Sequence, residues 1–333
     1  ASIEGQFTFF AIQRIQFTSA MDRIFGRFFC LLLITAVLGR ILAALSPEEY
    51  WRSILPNTPM PNSISQLLTS SNASSQAHST GAGLPKRGDH VQVNYFYKSQ
   101  YPAEEMEELL KDPSMALFFL EKNLQHGKKI TLHLKNMMAG TKFLPRDEAD
   151  AIPFSSKELP KIFSRFAVRP GSDDAAEMRR TVLTCEQPAN TGEKKVCTTS
   201  LESMVDFVTS SFGSINLNAA STVVVSKQME SRAQEYNVRS VRRMARSGQL
   251  IACHPESYMY AVFLCHLTEA TRAYTASLVG EDGTAVEAVA VCHTDTSEWN
   301  PQHASFQLLG VKPGTVPVCH FVQPDAVVWT RTA

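Results

Sequence analysis

The sequence predicts an α+β domain, with early helices followed by a mainly antiparallel sheet in the C-terminal part of the chain. Apolar residues recur at helical spacing in the first half, whereas short alternating or fully apolar runs dominate from residue 250 onward. The dipeptide Asp282-Gly283 lies between two such runs, as expected of a hairpin turn. Hydrophobic residues make up 44% of the 333-residue chain, which is enough for a sizeable core.

The first part of the chain is predicted to be a targeting region. Met21 opens a segment in which two arginines precede an apolar run at 28–38 and small residues follow it, the order found in secretory signal peptides. A transmembrane anchor is the weaker interpretation, because the run is about half the roughly 20 residues that a bilayer requires. We therefore assign 21–44 as a signal peptide and 1–20 as upstream or mis-assigned sequence.

A short post-signal segment, 45–61, and a variable linker or pro-segment, 62–116, are expected to follow the signal peptide. The first half of the linker is rich in Ser, Asn and Gly and has no apolar period. It contains an N-glycosylation sequon at Asn72, which is consistent with secretion. Its second half includes a short strand-like alternation at 91–97 and helical spacing over 102–124, where Pro113 interrupts the helix.

The remaining residues, 117–333, are predicted to fold as one domain. Residues 156–166 and 200–212 have the spacing of helices, and Ser200 with Ser203 indicates a capped start for the second. Residues 231–248 fit either a third helix or a strand and turn. Their arginines are expected to form a solvated face or, alternatively, a patch for an anionic polysaccharide.

From residue 250 onward the pattern favours strands. Residues 260–266 form a nearly all-apolar run, as expected of a strand buried on both faces. Residues 273–293 form two strands around the Asp-Gly turn, and 314–322 form another strand. Together these segments predict the antiparallel sheet.

Four Cys-His dipeptides lie in this last part of the chain: Cys253-His254, Cys265-His266, Cys292-His293 and Cys319-His320. Three of them fall in or at the end of predicted strands, where successive side chains point to opposite faces. Each dipeptide is therefore expected to direct its thiol to one face of the sheet and its imidazole to the other. A dipeptide in this arrangement does not bind one metal ion through both side chains.

The thiols are predicted to form disulfides. Six cysteines remain after the signal peptide, and an even number in an oxidising compartment favours pairing. The chain has no C-x-x-C motif, which argues against a zinc ribbon and a thioredoxin-like site. Cys185 and Cys197 flank a turn-rich loop and make a natural pair. The four cysteines of the dipeptides leave three connectivities open.

The imidazoles of His254, His266, His293 and His320 are then free to meet, and four nitrogen ligands suit Cu(II), Zn(II) or Ni(II). An oxidising, secreted setting favours Cu(II), although a buried histidine is more often an ordinary core residue. Three other residues could join or support the site. They are His303 as a ligand or base, His133 as a core residue or ligand, and Asp295 as a partner of a ligand imidazole or as a turn cap.

No other cofactor is predicted, because the sequence contains no phosphate-binding glycine loop. It also lacks the G-x-S-x-G and H-E-x-x-H motifs, so no catalytic residues can be assigned. Lys and Arg together number 32, as do Asp and Glu, so the net charge favours neither nucleic acid nor an anionic membrane as a partner.

The spacing of the four dipeptides, separated by ten, twenty-five and twenty-five residues, resembles that of the plant BURP-domain family. Segments such as "FLPRDEADAIPFSS", "TSLESMVDF" and "VKPGTVPVCHFVQPDAVVW" also resemble that family, and "SPEEYWRSILPNTPMP" resembles the segment after its signal peptides. The resemblance covers 117–331 and 46–61. Leu264 and Met259 depart from the residues that many members carry at those positions.

The resemblance implies a secreted plant protein of the cell wall or apoplast or, alternatively, of the storage vacuole. Members include seed, dehydration-responsive and anther proteins and the non-catalytic beta subunit of polygalacturonase, which implies a role in development or stress. The implied partners are a wall polysaccharide or wall enzyme. Some members are copper-dependent peptide cyclases that crosslink Tyr or Trp side chains in a core peptide, with the four histidines as copper ligands.

The sequence therefore leaves the question of enzymatic activity open between two hypotheses. The first is a non-enzymatic protein of the apoplast, and the second is a copper- and oxygen-dependent peptide cyclase. Residues 62–90 contain no Trp, no Tyr and no repeat, which weakens the self-processing form of the second hypothesis. A separate peptide substrate remains compatible with the second hypothesis.

Overall fold

A computed structural model describes residues 45–69, 118–132, 134, 138, 140–189, 193–225, 234–245 and 248–332. The predicted signal peptide, most of the linker, Asn72 and His133 lie outside the described residues. Within those residues, no helix is both long enough and apolar enough to cross a membrane.

The chain divides into two compact units, residues 1–50 and 51–333. In the first, the backbone N–H of Glu49 donates to Oγ of Ser46, and the carboxylate of Glu49 accepts from the backbone N–H of Ser46. This reciprocal cap begins helix α1. The second unit contains both sheets and all four Cys-His dipeptides.

The described residues form the following α-helices: α1 (Pro47–Ile54), α2 (Asn62–Thr69), α3 (Arg146–Asp150), α4 (Leu159–Arg165), α5 (Asp173–Glu186), α6 (Leu201–Phe212) and α7 (Ala304–Leu309). Short 3-10 turns occur at Glu121–Asn123 and Ser156–Glu158.

The described strands are β1 (Phe118–Leu120), β2 (Lys129–Leu132), β3 (Lys194–Thr198), β4 (Leu217–Ala220), β5 (Val223–Val224), β6 (Gln234–Arg243), β7 (Leu250–Glu256), β8 (Val262–Thr268), β9 (Thr271–Gly280), β10 (Ala285–His293), β11 (Val318–Phe321) and β12 (Val327–Arg331).

In the described part of the chain these strands form two antiparallel sheets. The larger has the order β1-β11-β10-β9-β6-β2, and β5 pairs with β10 on the edge that β10 shares with β11. The smaller has the order β3-β8-β7-β12-β4. The predicted α+β class, with a mainly antiparallel sheet carrying the Cys-His pairs, is confirmed.

Several predicted elements have counterparts in the structure. The helix predicted at 200–212 begins with a capping box, in which Ser200 and Ser203 each accept the other's backbone N–H at 3.1 Å. The helix predicted at 156–166 is a 3-10 turn followed by α4. Of the two alternatives for 231–248, the structure has the strand β6, which pairs with β2 and β9.

The predicted hairpin is the β9–β10 pair, which is joined by the Asp282-Gly283 turn. Gly283 has a φ of +85°, in the left-handed region that favours glycine, so the residue type matches the turn. The long uninterrupted register of this hairpin places the end of β10 beside β11.

The segment 51–69 packs on the rest of the second unit. The side chain of Trp51 is only 2% exposed, and its ring lies 5.2 Å from the ring of Trp329 on β12. Thr58 Oγ1 donates to the carbonyl oxygen of Leu217 at 2.7 Å, and the N–H of Phe143 donates to the carbonyl of Leu67. Part of the predicted post-signal segment is thus built into the same folded body as the sheets.

The two faces of strand β10 pack into different apolar clusters. Ala288, Ala290 and Cys292 contribute to a cluster that also contains Cys319 and Phe321. The alternate positions, Val289 and Val291, join a cluster with residues of the smaller sheet, including Leu250, Ala252 and Val328. The face that carries the imidazole of His293 is therefore the face that the larger sheet turns toward the smaller one.

Candidate metal centre

The six cysteines that follow the predicted signal peptide form three disulfides, and the prediction of disulfide bonds is confirmed. Cys253 on β7 lies directly opposite Cys265 on β8, and Cys292 on β10 lies directly opposite Cys319 on β11. Each of these two pairs is bonded, with Cα atoms 4.0 and 3.9 Å apart. Of the three connectivities left open, the structure has the one that joins neighbouring strands.

The third disulfide joins Cys185, in the last turn of α5, to Cys197 on β3. It is the pair that the turn-rich loop between the two cysteines suggested. The bond ties the helix to the edge strand of the smaller sheet, beside β8.

The four imidazoles lie on the opposite face from the cysteines of their own strands. His254 is paired with Leu264, and His266 with Ala252, so the two histidines are diagonal neighbours across β7 and β8. Their Nε2 atoms are 3.4 Å apart, and their rings are stacked with centroids 5.4 Å apart.

The larger sheet repeats this arrangement. His293 is paired with Val318, and His320 with Val291, which makes these histidines diagonal neighbours across β10 and β11. Their rings stack with centroids 5.6 Å apart. The ring centroids of His254 and His320 are 6.3 Å apart, so the two sheets bring both histidine pairs together. We call these four side chains the histidine cluster.

Burial keeps most of the histidine cluster uncharged. Burial, reinforced by neighbouring imidazoles, lowers the pKa of His254 and of His293 well below the ordinary value. Burial also lowers the pKa of His320 to about 4, although its hydrogen bond to the carbonyl of Phe321 opposes the shift. A neutral imidazole has a free lone pair on one nitrogen, which is the form that binds a metal ion.

Hydrogen-bond chemistry indicates which nitrogen carries that lone pair. Nδ1 of His320 lies 3.2 Å from the carbonyl oxygen of Phe321, and a carbonyl only accepts, so Nδ1 is the donor. Nδ1 of His266 lies 2.8 Å from a carboxylate oxygen of Glu193. In His320, Nε2 is therefore the lone-pair nitrogen. The Glu193 contact lacks the angle of a hydrogen bond, but the negative charge of the carboxylate favours the ring proton on Nδ1 of His266 and the lone pair on its Nε2 as well. Metal-binding histidines commonly have such an oxygen partner on the other ring nitrogen.

Aromatic side chains line the larger-sheet side of the cluster. The ring of Trp299 lies 4.9 Å from that of His293 and 4.9 Å from that of His303. Phe118 contacts the rings of His303 and His320 at centroid distances of 5.5 and 6.4 Å. This aromatic wall is close to two of the four imidazoles.

The other sequence candidates have structural roles. His303 caps α7, where its Nδ1 accepts from the backbone N–H of Ser305. Asp295 accepts hydrogen bonds from the N–H and the hydroxyl of Ser297, so of its two predicted roles the structure has the turn cap. Glu193 is not predictable from the sequence, because it precedes His266 by 73 residues and no pattern links the two.

The donor set suits a metal ion, but the side chains are not yet arranged around one. Among the described residues, no group of three or more His, Cys, Asp or Glu side chains already has the geometry to hold a metal ion. The cluster instead consists of two stacked pairs. Binding one ion with more than two imidazoles requires some of the rings to rotate.

The sequence from residue 117 to residue 331 matches the BURP domain. BURP domain-containing protein 5 of Oryza sativa subsp. japonica is 67% identical over 290 residues, covering 87% of this chain and 88% of that protein. BURP domain-containing protein 17 of the same species is 75% identical over 229 residues, but the match covers only 39% of its length. BURP domain protein RD22 of Arabidopsis thaliana is 35% identical, covering 87% of this chain and 95% of that protein.

Proposed function

The chain belongs to the BURP-domain family, and from this premise we propose that it is a secreted, copper-binding plant protein of the cell wall or apoplast that acts in development or stress responses. The observation that carries the copper proposal is the histidine cluster. Four imidazoles from two sheets converge there, and burial holds at least three of them neutral.

The residues that would hold the metal ion are His254, His266, His293 and His320. An all-nitrogen donor set with no thiolate favours Cu(II) over softer ions, because the neighbouring cysteines are locked in disulfides on the opposite faces. Bound copper would supply a one-electron oxidant. The protein's own contribution is to keep His254, His293 and His320 neutral by burial and to favour the Nδ1–H tautomer of His266 and His320.

Secretion is supported by the disulfides and by the predicted signal peptide at 21–44, since disulfides persist in oxidising compartments. The proposed partner is an acidic polysaccharide of the wall. The exposed arginines Arg239 and Arg242 on β6 provide positive charge for an acidic sugar polymer.

A second candidate function is copper- and oxygen-dependent crosslinking of a Tyr or Trp side chain in a separate peptide. The aromatic wall favours it, because Trp299 is half-buried against His293 and offers a surface on which a substrate ring could stack. The reaction would form one bond at the substrate ring, remove two hydrogens and transfer them to oxygen.

The copper proposal is tested by expressing the full chain through a secretory route, loading it with Cu(II) and measuring bound copper after dialysis. We expect copper to be retained by the wild type and by the control His126→Ala, whose imidazole contacts the carbonyl of Arg239 outside the cluster. His293→Ala should lose most of it. A folded wild-type protein that retains no copper would refute the proposal.

The crosslinking candidate is tested on the same copper-loaded protein by adding oxygen and peptides that contain Tyr or Trp. A mass loss of two hydrogens in the peptide or in the chain, absent in His293→Ala, would support catalysis. Retained copper with no mass change in any peptide would leave the chain a copper-binding protein without this activity.

A further inference from the structure

The most buried imidazole of the histidine cluster has a carboxylate as its partner. Nδ1 of His266 lies 2.8 Å from Oε1 of Glu193, and the two side chains are 0% and 8% exposed. In a site that water scarcely reaches, a carboxylate is costly to bury unless donors and positive charge surround it. The location of Glu193 therefore needs a structural explanation.

The edge of the smaller sheet holds Glu193 in place. It immediately precedes β3, where Lys195 lies directly opposite His266 in the register with β8. The ammonium of Lys195 donates to the carbonyl of Thr184 at 2.8 Å, and the Cys185–Cys197 disulfide fastens the same strand to the end of α5. The Lys195 hydrogen bond and the disulfide thus both hold β3, the strand that directly follows Glu193, against the end of α5.

Lys195 also provides positive charge near this carboxylate. Burial lowers the pKa of Lys195 to about 8, while the charges of Glu193 and Glu256 oppose that shift. Glu193 thus has an imidazole on one side and an ammonium group within electrostatic reach. A carboxylate oxygen 2.8 Å from Nδ1 repels a lone pair and attracts a proton at that nitrogen, so the charge contact favours the ring proton of His266 on Nδ1 even without hydrogen-bond alignment.

The tautomer of His266 also determines which atom donates in its contact with His254. With a single ring proton on Nδ1, His266 has its lone pair on Nε2, the atom that lies 3.4 Å from Nε2 of His254. In the metal-free protein His254 then donates this contact. The same Nε2 of His266 is the atom that a metal ion in the cluster would take.

We propose that Glu193 is a positioning residue for His266, which fixes the Nδ1–H tautomer and orients Nε2 toward the metal. The part of this proposal that concerns metal binding rests on the proposed function, in which His266 is a copper ligand. The tautomer itself is a property of the metal-free protein and can be tested separately.

The first test is NMR of the metal-free full chain labelled with ¹⁵N-histidine, with His266→Ala used to assign the His266 signals. We expect the Nδ1–H tautomer in the wild type, a shift toward the Nε2–H form in Glu193→Ala, and partial retention in Glu193→Gln, whose amide oxygen still accepts. The matched control is Glu281→Gln, on the exposed turn between β9 and β10. An Nε2–H tautomer of His266 in the wild type would overturn the proposal.

The second test measures Cu(II) affinity by competition with a chelator and the copper environment by electron paramagnetic resonance. Glu193→Ala should weaken binding about 10–100-fold and change the spectrum, as losses of such partners typically do. When His266 is already replaced by Ala, Glu193→Ala should weaken Cu(II) binding by less than about twofold more, because Glu193 acts only through His266.

The outcomes separate the two proposals. Glu193→Ala protein that is less stable but has unchanged copper affinity and an unchanged spectrum would show a purely structural glutamate and overturn this inference. A wild type that binds no copper would refute the proposed function, and the tautomer measurement would still decide whether Glu193 positions His266.

Discussion

The β7–β8 pair and the β10–β11 pair place the same residues in the same register but surround them differently. In each pair two cysteines face each other across the strands, and the two histidines lie diagonally on the other face. Next to the histidines of β7–β8 lies a charged side chain, since the carboxylate of Glu193 contacts His266. Next to those of β10–β11 lie aromatic side chains, with Trp299 and Phe118 close to the imidazoles. The dipeptide sets the geometry of the imidazoles, and the neighbouring segments set their surroundings.

The connections explain this difference. β7 and β8 are joined by a short turn, so their cysteines are 12 positions apart. β10 and β11 are joined by a longer connecting segment that contains α7, and their cysteines are 27 positions apart. This connecting segment contains Trp299, which contacts His293 of the cluster, and His303, which packs on Trp299. The charged side chain next to β7–β8 comes instead from the start of an edge strand far away in the sequence.

The largest expected effect in either pair is the loss of stability when its disulfide is removed. Removing the Cys292–Cys319 bond with paired Cys→Ala changes should lower the free energy of unfolding by about 3.5 kcal/mol, and removing Cys253–Cys265 by about 3 kcal/mol, because the longer loop loses more entropy when closed. Urea unfolding of the metal-free protein measures both. A clearly larger loss from the shorter loop would show that packing, and not loop closure, dominates.

Ligand replacement from either sheet should affect copper affinity equally. If one site uses both pairs, His254→Ala from the smaller sheet and His320→Ala from the larger should each weaken Cu(II) binding on the order of 100-fold, at or above the upper range for losing a ligand's supporting residue. Competition titration measures the affinity, and circular dichroism checks the fold. A loss confined to one sheet would instead assign the metal to a single histidine pair.

The smallest expected effect is a pH dependence specific to the larger sheet. Glu121, next to β1, accepts hydrogen bonds from Arg272 and Tyr274 on β9. Burial raises the pKa of Glu121, but these hydrogen bonds and the charge of Arg272 outweigh it, so the pKa lies below the ordinary value. The stabilisation is therefore fully present above the ordinary glutamate pKa of 4.5, which applies to the unfolded chain, and is lost as the pH falls through the lowered pKa of the folded protein.

Glu121→Gln should consequently lower stability by about 1 kcal/mol at pH 7 and by less at low pH. Urea midpoints between pH 7 and pH 3, for this variant and for the control Glu281→Gln, measure the difference. A constant difference between the wild type and Glu121→Gln across that range would contradict the assigned pKa direction.

Local patterns in the sequence were sufficient to predict much of the fold. The Ser200 cap, the Asp282-Gly283 turn and the opposite faces of Cys292 and His293 all follow from rules that act over a few residues. The secondary structure of 231–248 could not be predicted in the same way, because its arginines are compatible with either a helix or a strand. Pairing with β2 and β9, which buries Tyr236 and Val238, decides for the strand.

Long-range pairing explains what the sequence left open at the candidate site. Spacing alone cannot tell which cysteines are bonded, since that depends on which strands are neighbours. The convergence of two histidine pairs from separate sheets is likewise a tertiary property. Glu193 has no sequence signature near any histidine and is brought to His266 only by the pairing of β3 with β8.

The contact between the rings of Trp51 and Trp329 has a consequence for proteolytic processing. Residues 51–69 and the described residues from Phe118 onward belong to the same unit, and residues 70–117 connect them along the chain. A protease that cut once between residues 70 and 117 would produce a two-chain protein whose N-terminal fragment stays attached through the buried indole of Trp51. Such a nick would be visible on a denaturing gel but not in the size of the native protein.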